Sequence, residues 1–61
     1  MITPAQRDLL TPPEREAVAL HELGYGYRSI ARILGISMTT VRDRLDRAAQ
    51  RIANSQEHPD E

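Results

Sequence analysis

Between residues 28 and 51 the chain carries Arg28, Arg32, Arg42, Arg44, Arg47 and Arg51 against only Asp43 and Asp46. A guanidinium is planar and always charged, and it can grip a phosphate, or the O6 and N7 edge of guanine, through two parallel hydrogen bonds. Six arginines less two aspartates give this segment a formal charge of +4, between flanks of −2 (residues 1–27) and −3 (residues 52–61). The whole chain is therefore at −1. Phosphates respond to the local field, so the basic middle matters more than the total. A solvated helix face would carry similar charges, and arginine in place of every lysine could equally be a compositional bias of the source genome.

Other chemistries find little support. The chain has no cysteine, which excludes disulfides and thiolate zinc sites. His21 and His58 are far apart and have no ligand partner at metal spacing, so no metal and no cofactor is expected. There is no activated nucleophile, paired carboxylate or phosphate-cradling loop, and the chain reads as a binding protein rather than an enzyme. No apolar run approaches the ~20 residues that span a bilayer. The N-terminus lacks a basic start followed by an apolar stretch. With 61 residues there is room for one domain, read as a complete, soluble, cytoplasmic protein with no membrane partner.

The arginines need elements to position them. Thr3-Pro4-Ala5-Gln6 reads as a capped helix start, with a short helix to about Leu10. Thr11-Pro12-Pro13-Glu14 repeats the signal. Either Thr11 or Pro12 is the cap, because a residue before proline avoids the α region. That helix reaches about Leu23, with Ala17, Val18 and Leu20 inward, and Gly24-Tyr25-Gly26 breaks it. A third helix covers Tyr27 to Leu34 and ends at Gly35. Ser37 caps a fourth, in which Met38, Val41, Leu45, Ala48 and Ile52 recur at helical period. Residues 54–61 read as an acidic disordered tail, behind a domain at 11–53 and the short helix within 1–10.

The spacing from Ala31 to Gly35 to Val41 is that of a helix-turn-helix, whose second helix enters the DNA major groove. Ala31 is small where two helices cross, Gly35 supplies the turn, and Ile36 plugs the turn into the core. Val41 and Leu45 anchor the second helix to the first. A helical bundle with a similar crossing is the plainer alternative. The fold expected is all-α: a small helix-turn-helix bundle of three main helices plus a short N-terminal one.

Three stretches then resemble a known family: Leu10-Thr11-Pro12 with Glu14 and Glu16, Ser29-Ile30-Ala31 to Leu34-Gly35-Ile36-Ser37, and Thr40-Val41-Arg42-Asp43-Arg44-Leu45-Asp46-Arg47-Ala48. They are similar to the promoter-binding C-terminal domain, region four, of bacterial sigma factors, and over the same stretch to the LuxR-type DNA-binding domain. The resemblance implies base contacts from Met38, Thr39, Arg42 and Asp43. It puts Thr40, Arg44 and Arg47 nearer the phosphates. Arg51, two turns beyond Arg42, is expected to grip phosphate as well, and Arg28 to flank the backbone. Met38 and Thr39 stand where the family often has charged or amide residues.

Each position has a plainer role beside this one. Arg42 could pair with Asp46, and Asp43 with Arg47, one turn apart. Met38 could close the edge of the core. His21 is expected as a half-buried structural histidine, and Tyr25 and Tyr27 as packing on the turn. The function expected is sequence-specific binding of double-stranded DNA, as a small transcriptional regulator or an accessory protein of a phage or mobile element. The alternative is a protein-interaction module on the same fold, docking on RNA polymerase or a phage assembly without reading DNA. A homodimer is a further partner, since one module offers DNA only about 600–1,000 Å².

Overall fold

The structure, a computed structural model, describes residues 3–56. It consists of four helices: α1 (Pro4–Arg7), α2 (Pro12–Glu22), α3 (Tyr27–Leu34) and α4 (Met38–Gln56). The first two begin in the same way. Thr3 Oγ1 accepts the Gln6 N–H at 3.2 Å, and Gln6 Oε1 accepts the Thr3 N–H at 2.9 Å. Thr11 and Glu14 repeat the exchange at 3.4 and 3.1 Å. Thr11 is thus the cap and Pro12 the first helical residue. A cap residue is extended in any case (Thr11 has ψ 158°), so the restriction before proline is met at no cost.

Glycine closes α2 and α3. After α2, Gly24 takes φ +102°, its N–H donates to the His21 carbonyl, and the Tyr25 N–H reaches back to that of Leu20. After α3, Gly35 lies in the left-handed region at φ +70°, ψ 36°, and the Ile36 N–H donates to the Ala31 carbonyl at 3.0 Å. Both closures satisfy carbonyls that a helix end otherwise leaves without partners.

The core sits where α3 crosses α4. Ile30, Ala31 and Val41 are buried, with Leu20, Leu34, Ile36 and Leu45 packed around them. Leu10, Ala17 and Ala48 are buried too, and α4 lies against both α2 and α3. Ala31 and Val41 are thus buried, Ile36 and Leu45 pack against them, and Gly35 takes the left-handed turn conformation. An ion pair across helices joins the start of α2 to the later turns of α4: Arg51 Nε lies 2.8 Å from Glu14 Oε1, on a carboxylate side chain only 5 % exposed. Arg7 and Glu22 are joined at 3.6 Å.

Three expectations change. The stripe on α4 begins at Val41, because Met38 is 45 % exposed and does not close the core. Helix α4 also runs past the expected boundary at 53. Asn54 and Ser55 are helical, while residues 57–61 lie outside the described residues. His21 is exposed rather than half-buried. It continues the Glu14–Ala17 stripe of α2 by one turn. There it lines an open groove of about 310 Å³ between α2 and α4, with the Tyr27 ring beside it, centroids 6.1 Å apart.

Candidate nucleic-acid interface

At 100° per residue, α4 divides into two sides. Val41, Leu45, Ala48 and Ile52 face inward. Thr39, Asp43, Asp46 and Gln50 take the opposite side, with Arg42 on one flank and Arg47 on the other. The first two turns thus present Met38, Thr39, Arg42 and Asp43, all exposed. The αL turn at Gly35 and the cap at Ser37 fix the direction in which these turns leave α3. Ser37 Oγ accepts the Thr40 N–H at 3.1 Å and lies 2.9 Å from Thr40 Oγ1. Thr40 is half-buried, and its hydroxyl belongs to this cap as well as to the surface.

The arginines fall into two groups. Among the described residues, no ion pair engages Arg28, Arg32, Arg42 or Arg44. Arg28 is exposed in the first turn of α3, and Arg44 is half-buried on α4. The expected alternative for Arg42, a pair with Asp46, does not form, whereas that for Asp43 does: Arg47 Nε lies 3.0 Å from Asp43 Oδ2.

Arg51, expected at the phosphates, pairs through Nε with Glu14 on α2 while its side chain stays 48 % exposed. Burial alone would raise the Glu14 pKa. The Thr11 backbone N–H and the Arg51 guanidinium outweigh burial and hold that carboxyl below the usual range. Sequence reading gave Glu14 a capping role only. The Thr-x-x-Glu signal shows the cap, but nothing local to either residue shows that the same carboxylate also receives Arg51.

The family model for Sigma-70, region 4 matches residues 8–52, most of the chain. The chain belongs to the sigma-70 region 4 family. No curated protein sequence and no solved structure matches it. Sigma-70 region 4 is a helix-turn-helix DNA-binding domain, not an enzyme family, and its members bind DNA and RNA polymerase. The matched residues take in the second capping box, all of α2 and α3, the Gly35 turn and α4 as far as Ile52. Among the described residues no helix is long and apolar enough to cross a membrane, and no group of His, Cys, Asp or Glu could hold a metal ion.

Proposed function

We propose that this region 4 domain binds double-stranded DNA sequence-specifically, with the first turns of α4 in the major groove, as a small transcriptional regulator. One observation carries the reading. Past the Gly35 turn, α4 spends its inward stripe on the core and turns outward an exposed Arg42 that no carboxylate among the described residues engages, beside Met38 and Thr39. Arg42 reads a guanine edge, while Met38 and Thr39 meet thymine methyl groups. Arg28, Thr40 and Arg44 lie towards the phosphates. Arg51 is left out of that set.

A second reading keeps the fold without the groove: docking on a protein such as RNA polymerase. The net charge of −1 favours it, as does the engagement of Arg47 and Arg51 by carboxylates. Selection of duplexes from a random library, followed by binding isotherms over a salt series, separates the two. DNA reading requires an enriched sequence whose affinity exceeds that of a scrambled duplex. Equal weak binding to both, or none, leaves protein docking. Stoichiometry at saturation reads whether one chain or a homodimer occupies each site.

A further inference from the structure

A carboxylate at the centre of a DNA-facing surface needs a reason, because it repels phosphate. Asp43 stands there, 54 % exposed, opposite the buried stripe of α4. Its partner Arg47 is one turn further along and held through Nε at 3.0 Å. A guanidinium held at Nε still has its terminal N–H groups to give. Helical side chains lean towards the N-terminus. The contact therefore draws Arg47 back over the turns that carry Met38, Thr39 and Arg42. The Arg51 pair instead directs its guanidinium towards the buried Glu14 on α2, with the Arg51 side chain still 48 % exposed.

We propose that Asp43 is a positioning residue, holding the Arg47 guanidinium over the base-reading half of α4 so that Arg47 reads a second base pair. This rests on the DNA-binding reading above. It moves Arg47 from the phosphates to the bases and gives Asp43 a role without base contact. The ligand is a guanine edge, which accepts two parallel N–H bonds at O6 and N7.

The sign of one mutation decides. If Asp43 only repels DNA, Asp43→Asn tightens binding to every duplex alike. If it positions Arg47, Asp43→Asn weakens binding to the selected duplex by about three- to fivefold, the upper range for an exposed pair, and leaves the scrambled duplex no weaker. The same substitution made on an Arg47→Ala background costs nothing further, and Asp43→Glu recovers the preference. Thermal midpoints of all variants are measured alongside, so that loss of fold is not mistaken for loss of reading. Uniform tightening by Asp43→Asn overturns the proposal, as does an equal loss with and without Arg47. A folded wild type that binds no duplex overturns the DNA-binding reading itself, and this proposal with it.

Discussion

Gly35 holds the angle between α3 and α4 from φ +70°, and nothing lies within 4 Å of where a Cβ would stand. A side chain there meets open space, so its cost is one of backbone conformation alone. Asparagine tolerates the left-handed region best and a β-branched residue worst. Gly35→Asn, Gly35→Ala and Gly35→Val are expected to lower stability in that order, within roughly 0.5–3 kcal/mol, read as thermal midpoints. Equal midpoints for all three would show that the turn does not depend on this conformation. At Arg42 the expected loss is one of reading. Arg42→Ala costs about 1–3 kcal/mol on the selected duplex, relaxes preference at one base pair, and leaves the melting temperature in place. A loss of the same size on the scrambled duplex would make Arg42 a phosphate contact.

Between elements, the Glu14–Arg51 pair joins the start of α2 to the later turns of α4. Removing Arg51 leaves a buried carboxylate whose remaining hydrogen-bond partner among the described residues is Thr11. Arg51→Ala is therefore expected to cost about 1–3 kcal/mol of stability. For a domain of this size that is about 4–8 °C of thermal midpoint per kcal/mol. The salt slope of DNA binding should stay as it is; a slope smaller by about one, with stability intact, would return Arg51 to the phosphates. The pair also sets an acid limit. The Glu14 pKa is lowered in the folded state, so its stabilisation is present above the ordinary carboxylate value and is lost as pH falls through the folded value. Melting midpoints should drop below about pH 5, and Glu14→Gln should start lower at neutral pH and fall less. Equal slopes for wild type and Glu14→Gln would place the acid sensitivity elsewhere. What the sequence disclosed and what it did not divide along the same line. Thr3 with Gln6, Thr11 with Glu14, Gly35, and Ser37 with Thr40 are local signals, complete within a few residues, and the structure keeps them all. Arg51 is identical in type to Arg42, and only tertiary packing tells the engaged arginine from the free one. His21 fits the α2 stripe, and whether that stripe is covered at its last turn depends on α4. Asn54 and Ser55 are poor helix formers, but they continue a helix already several turns long, where adding a residue costs much less than starting one. Of the site, the residue types, their face and the local Asp43–Arg47 pair were legible, while the engagement of Arg51 by Glu14 was not.

At the scale of the whole molecule, charge works against the proposed function. The total is −1, and Glu57, Asp60 and Glu61 supply three negative charges after the last described turn of α4. Removing residues 57–61 takes the formal charge from −1 to +2 and leaves all four helices whole. It also leaves Met38, Thr39 and Arg42 in place. The shortened chain should therefore bind the selected and the scrambled duplex more tightly by the same factor, with the preference between them unchanged. Repulsion between separated charges fades beyond about 8 Å at physiological ionic strength and reaches some 30 Å at 0.01 M salt. The gain should thus be largest at low salt and shrink towards nothing as salt rises. Isotherms for both chains on both duplexes across a salt series measure it. A gain confined to the selected duplex would mean that these residues act on base reading rather than through the field. No gain at low salt would mean that the acidic end does not oppose the approach of DNA at all.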